Sequence, residues 1–191
     1  MRNTIFILIV LASSLCSFAQ DEPTNEKKGF QKEKLFVGGN FGLSFGTYTL
    51  INISPQVGYR FTDYVAAGLG INAQYISEKV YNYYNGQADY KISRGVTGLN
   101  VFGRVYPINQ IMLQIQPEAN YVFGNTKYYN SSIGTTKLDA LIVPSLLIGG
   151  GAVIPSGRGS FIASVFYDVL QNINSPYGAR PIYTFGYNVG L

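Results

Sequence analysis

From Leu35 onward, apolar and polar residues alternate with a period of two. In LFVGGNFGLSFG, Leu35, Val37, Phe41, Leu43 and Phe45 fall on one side, with Asn40 and Ser44 on the other. After a short turn in GTYT, Ile51, Ile53, Val57, Tyr59 and Phe61 alternate with Asn52, Ser54, Gln56 and Arg60. Past Thr62-Asp63 the scheme returns, with Val65, Leu69, Ile71 and Tyr75 against Gly68, Gly70, Asn72 and Gln74. Such alternation marks β-strands with one apolar face.

The same grammar predicts five more strands. TGLNVFGRVY sets Leu99, Val101 and Val105 against Asn100 and Arg104, and a turn at Pro107 to Gln110 follows. IMLQIQPEANYVFG sets Ile111, Leu113, Ile115, Tyr121 and Phe123 against Gln114, Gln116, Glu118 and Asn120. A sixth strand over Leu138 to Ile154 is the least regular, because LIVPSLLIGGG is apolar on both faces. The turn PSGRG, the strand FIASVFYDVL and the closing strand IYTFGYNVGL complete eight. The rule predicted for all of them is odd residues outward, even residues inward. Tight turns at Thr62, Pro107 and Ser156 alternate with longer polar inserts, and the connection at Thr47 is short. An even number of strands with short and long connections segregated predicts an eight-stranded antiparallel up-and-down transmembrane β-barrel with both ends of the chain on the short-turn side.

The start of the chain has a different pattern. MRNTIFILIVLASSLCSFAQ carries Arg2, an apolar run and then Ser17 and Ala19, the arrangement of a secretory signal peptide. Its apolar run is too short for a spanning helix, which takes about 20 residues. The expected organisation is a signal peptide over residues 1–19, cleaved near Ala19, a flexible periplasmic lead-in over 20–34 and the barrel over 35–191. The expected location is the outer membrane.

Charge decides which way the apolar face points. A water-soluble barrel alternates too, but its outer face is rich in charge. Of 24 charged residues only Arg60, Arg104, Glu118, Asp139 and Asp168 fall within the expected strands. The polar face is Gly, Asn, Gln and Ser instead, which suits the narrow interior of eight strands. Aromatic residues gather at two levels, Tyr59, Phe61, Tyr64 and Tyr106 at the short-turn end and Tyr48, Tyr75, Tyr121, Phe123 and Tyr183 at the other, as interfacial girdles do.

By these residues the chain resembles the outer-membrane β-barrel domain family common in Bacteroidota, related in architecture to the small OmpA/OmpX-type barrels. The resemblance rests on SPQVGYRFTDYVAAGLG, VFGRVYPI, QPEANYVFG and YDVLQN with NSPYGARPIYTFGYNVGL. It implies a fold and a compartment, and no activity. In the closing strand Thr184, Gly186, Val189 and Leu191 resemble the signal read by the barrel-insertion machinery, with Leu191 in place of the usual terminal aromatic.

Chemistry is sparse. The chain has no histidine and its one cysteine, Cys16, lies in the expected signal, so no histidine-based hydrolase can be assembled and no cofactor or metal ligand set is expected. Of 14 basic residues one, Arg2, lies in the signal, leaving 13 against 10 acidic, a net charge of +3 that by itself implies no nucleic acid. Arg60, Arg104 and Glu118 are the candidate lumen charges, expected either to pair inside or, for the arginines, to reach periplasmic water or lipid phosphate. The polar inserts hold the binding candidates: Tyr81, Tyr83, Tyr84, Tyr90, Lys91 and Arg94 in one, Tyr128 and Tyr129 in another. Their expected contacts are outer-membrane lipid and lipopolysaccharide, or an envelope protein partner.

The expected function is therefore a non-enzymatic envelope barrel with a side-chain-filled lumen and a structural or interaction role. A small passive channel and an accessory subunit of a secretion or uptake complex are the alternatives. The glycines Gly38, Gly42, Gly58, Gly68, Gly70 and Gly98 bear on the channel, since they could leave gaps. Pro55 and Pro117, in matching I-x-P-x-x-x-Y-x-F frames, are each expected at a bulge or irregular register, where a missing donor strands no acceptor.

Overall fold

The computed structural model describes residues 31–44, 48–84, 86–129 and 134–191. The expected signal peptide, most of the expected lead-in, and the side chains of Ser44 and Tyr48 lie outside that description. After a single 3-10 turn at Lys32–Lys34 come eight strands: β1 (Leu35–Ser44), β2 (Tyr48–Arg60), β3 (Val65–Tyr81), β4 (Ala88–Ile108), β5 (Ile111–Tyr128), β6 (Thr135–Ser156), β7 (Gly159–Asp168) and β8 (Ile182–Gly190). Each pairs antiparallel with the next and β8 returns to β1, closing the barrel. No helix among the described residues is long and apolar enough to cross a membrane.

The strands outrun their sequence signal at one end. The polar insert expected after the third strand is mostly ladder, with Lys79 opposite Lys91 and Ser77 opposite Ser93. The connection itself is a turn after Tyr81, and β5 and β6 extend in the same way to Lys127 opposite Thr135. Hydrophobic alternation fades where both faces meet polar surroundings, yet backbone pairing continues. Among the described residues only the β7–β8 connection, residues 169–181, is a long irregular segment, and it folds inward. Glu78, Lys79, Asp89, Lys91, Arg94, Lys127 and Lys137 all lie in strand extensions, so charge is scarce only in the middle of the barrel.

The odd-outward rule holds on the neighbours of β6 and fails on β6 itself. Met112 faces Gly151, Glu118 faces Ser145 and Asn120 faces Val143, so here odd residues point inward. Ile142, Pro144, Ile148 and Ile154 are the exposed outer set. Near the far end Val122 pairs with Leu141 but Gly124 with Leu138, which places Asp139 and Ala140 together opposite Phe123 in a bulge. The continuous apolar run hid both the inverted parity and the bulge.

The prolines sit at irregular pairing, as expected, but through an interrupted ladder and not through a bulge. Pro55 stays in register opposite Gly39 of β1, and Pro117 opposite Leu146 of β6. On the other flank the ladder is interrupted without a shift. β2 pairs with β3 at Ile53–Ala73 and again at Gln56–Gly70, and β4 with β5 at Asn100–Glu118 and again at Gly103–Ile115. A proline removes a donor toward one neighbour only, so one seam opens while the opposite seam is undisturbed.

The outer wall of the barrel is apolar on every strand. Phe41, Ile53, Leu69, Leu99, Ile115, Ile148, Phe161 and Phe185, one from each strand, are all exposed outward. Tyr59 and Phe61 stack edge to face at one end, with Phe161 against Tyr187, and Tyr121 lies beside Phe123 at the other. Tyr106, expected in the outer girdle, is instead buried inside.

Candidate functional site

The interior is filled from the short-turn end upward. An apolar plug of Phe36, Phe102, Tyr106, Met112, Leu147, Val153, Ile162 and Phe166 closes that end. Gly38, Gly58, Gly68, Gly70 and Gly98 face close neighbours and leave no gap, whereas Gly42, where a Cβ would meet nothing among the described residues nearer than 3.7 Å, lines the cavity above Tyr177. A Cβ on Gly58 would fall 2.2 Å from the Phe36 ring, one on Gly68 2.4 Å from Phe102, and one on Gly98 2.4 Å from Asn120 Oδ1. Glycine in one strand makes room for the ring or amide of another.

Arg104 sits on this plug with 2% of its surface exposed. Its guanidinium lies over Phe102 at 4.4 Å and Phe36 at 5.7 Å. Nε donates to Gln114 Oε1 at 2.6 Å and Nη2 to Gln56 Oε1 at 2.9 Å. Asn188 stands 2.8 Å from Nη1, which donates to it when the amide oxygen faces inward. Arg60 is elsewhere, exposed at the rim, with its guanidinium 4.8 Å from the centre of the Tyr106 ring.

Above Arg104, the inward residues of β5 form a ladder of neutral amides. Gln114 donates to Gln116, Gln116 Nε2 donates to Glu118 Oε1 at 2.6 Å, and Asn120 Nδ2 donates to Glu118 Oε2 at 2.9 Å. Asn100 donates to Asn72 Oδ1 at 2.7 Å and Asn72 to Asn120 Oδ1 at 3.3 Å, tying β3 and β4 to the ladder. Arg104 and Glu118 are thus both interior, but they form no ion pair; two glutamines separate them. Each charge is stabilised by several fixed dipoles, the arrangement that lets a buried charge persist. Ser145 Oγ and Thr184 Oγ1 are the buried side-chain atoms left without partners among the described residues.

The β7–β8 segment caps this ladder. Asp168, fully buried at the end of β7, accepts from the backbone of Leu146 and Leu170 and from Ser175 Oγ at 2.6 Å. That anchor turns the segment inward and places Tyr177, whose hydroxyl donates to Glu118 Oε2 at 2.6 Å and accepts from Gln74 Nε2 at 3.0 Å. Burial, and then the Glu118 carboxylate, push the Tyr177 phenol well above its ordinary pKa, keeping it a proton donor. Sequence reasoning missed Tyr177, Ser175 and the part played by Asp168. Asp168 and exposed Asp139 are not a carboxylate pair, as Asp168 is fully engaged.

Above Tyr177 a cavity of about 450 Å³ opens, bounded by β1–β4 and the β7–β8 segment and lined by Glu78, Arg94 and Arg180. Of the expected binding residues only Arg94 reaches it. Tyr83 and Tyr84 stand at the β3–β4 turn, each 95% exposed, with their rings edge to face. Tyr81 is exposed at the end of β3, Tyr90 contacts Tyr128 across β4 and β5, and Lys127 lies over Tyr129. Lys91 belongs to an outer row in which Lys79 pairs with Lys91 and Lys91 with Lys127. Among the described residues no group of three His, Cys, Asp or Glu side chains is placed to hold a metal ion.

Fold and interior together define an eight-stranded antiparallel barrel with a polar, filled lumen and an inward-folded capping segment. Compared with known proteins, the chain matches no family model and no curated sequence.

Proposed function

We propose that this chain is a transmembrane barrel of a bacterial outer membrane, closed to flow, with a structural or binding role rather than a catalytic one. The observation that carries the reading is the inverted barrel: an apolar surface on all eight strands around a core of amides, Arg104 and Glu118. In water such a wall would be a contiguous apolar patch far larger than monomeric proteins tolerate. In a bilayer it is the expected outer face, and closure leaves no unpaired edge in lipid. The resemblance to the outer-membrane barrel family agrees with this placement.

The row Lys79–Lys91–Lys127 supports an orientation. Like charges directly opposite one another on a sheet repel, and this row lies four residues beyond the aromatic level of Tyr75 and Phe123 on its strands. Phosphate-bearing headgroups there would neutralise the repulsion, so the extended end faces the lipopolysaccharide leaflet. The reading also makes the final strand the contact for the insertion machinery and leaves the tyrosine-rich hairpin tips for an envelope partner.

Fractionation tests it. Expressed with its own leader in a Gram-negative host, the protein should appear in the outer-membrane fraction and migrate faster in unheated than in boiled detergent gels. Recovery as a soluble periplasmic protein would overturn the reading.

A further inference from the structure

Within the cavity above Tyr177, Glu78 and Arg94 occupy diagonal positions on adjacent strands: Glu78 is opposite Ile92 and Arg94 opposite Ile76. Diagonal neighbours stand about 7–8 Å apart. Both side chains are half-buried, and among the described residues neither has a hydrogen-bond or ion-pair partner. Withdrawing opposite charges from water without pairing them costs free energy, and both line the same space.

Two amides beside them are half used. Asn52 Oδ1 accepts from Ser54 and Gln74 Nε2 donates to Tyr177, and among the described residues Asn52 Nδ2 and Gln74 Oε1 have no further partner. One donor and one acceptor are what a peptide unit needs. Leu50, Ile76 and Ile92 add an apolar wall. The volume, about 450 Å³, lies within the ~300–1,000 Å³ of small-molecule sites. Exposed Ile173 and Arg180 on its lining mark the way in.

We propose that the cavity binds a zwitterionic dipeptide with apolar side chains. Its carboxylate meets Arg94, its ammonium meets Glu78, and its peptide unit lies between Asn52 and Gln74. Two residues span roughly 7 Å end to end at ~3.3–3.6 Å each, comparable with the diagonal spacing of the two strand positions. The charge-assisted contacts supply specificity for the two termini.

Equilibrium dialysis of the purified full-length barrel in detergent micelles tests this with L-leucyl-L-leucine, its N-acetyl derivative, its C-terminal amide and leucine. The free dipeptide should bind saturably, at least tenfold tighter than the other three. Glu78→Gln should abolish discrimination against the acetylated form, and Arg94→Gln against the amide. No saturable binding, equal binding of the three dipeptides, or unchanged discrimination in both variants would overturn the proposal. The ligand comparison uses the unaltered protein and so stands whether or not the variants fold. Binding in micelles goes beyond the envelope reading and is independent of it, so failed fractionation and failed binding are separate results.

Discussion

Tyr177, on the segment joining β7 to β8, donates its hydroxyl proton to Glu118 Oε2 across the lumen at 2.6 Å. The contact joins the last irregular segment of the chain to the middle of β5 and places a ring above a column of amides. Below it every level is occupied, by Gln116, Gln114, Arg104 and then the Phe36–Phe102 plug. A barrel of eight strands has room for side chains and little else, and here those side chains are bonded to one another.

The unaltered barrel should therefore be silent in a planar bilayer. Deleting residues 172–178 removes Ser175 and Tyr177 but leaves the Arg104 level and the apolar plug intact, so that variant should be silent too. Steps from the unaltered protein would show that the packed column opens, and would favour the passive-channel reading.

Two glycines give opposite expectations. On Gly98 a Cβ would meet Asn120 Oδ1 at 2.4 Å and the backbone oxygen of Ala119 at 2.5 Å, whereas on Gly103 the nearest atom is Ile115 Cγ2 at 3.7 Å. Gly98→Ala should cost about 1–3 kcal/mol, the usual range for overpacking, and lower the temperature at which the folded gel band is lost. Gly103→Ala should leave that temperature nearly unchanged. Equal effects would refute the fitted-glycine account.

Arg104→Met tests the support beneath the ladder. The change keeps an apolar stem against Phe102 but deprives Gln114 and Gln56 of their donors. Each buried acceptor left unsatisfied costs about 1–3 kcal/mol. Thermal unfolding in detergent should show a clear loss, and Arg60→Met, at the exposed rim, should show little.

What was legible in the sequence follows from which forces leave a periodic trace. The strands around Ile53, Leu69, Leu99 and Phe185 alternate because one face is apolar, and all are found as expected. β6 is apolar on both faces, so neither its parity nor its bulge at Asp139 could be read. The outer parts of β3, β4 and β5 are polar on both faces, so Lys79, Lys91 and Lys127 passed for loop residues until pairing placed them in one row. Even spacing of Gln114, Gln116, Glu118 and Asn120 announced an inward polar column. That its members bond along the strand, with neutral amides separating Arg104 from Glu118, depends on rotamers that no periodicity encodes. The cap was invisible for a simpler reason: Ser175 and Tyr177 lie in an aperiodic stretch whose inward turn is set by Asp168.

The same cap makes stability depend on alkaline pH. Burial and the Glu118 carboxylate raise the Tyr177 phenol above its unfolded value of about 10. The folded state therefore keeps the proton after the unfolded chain has released it, so stability falls as pH rises. This contribution is complete below about pH 10 and is lost as pH climbs through the raised folded value. Tyr177→Phe removes the titrating group and the hydrogen bond together. At neutral pH the variant should be less stable by about 1.5–3 kcal/mol, the range for a bond to a charged acceptor. Between about pH 9 and 12 the unaltered barrel should lose thermal stability more steeply than the variant, so that the two curves converge, a comparison in which the other tyrosines cancel. Parallel curves over that range would mean that the Tyr177 proton is not held by the fold.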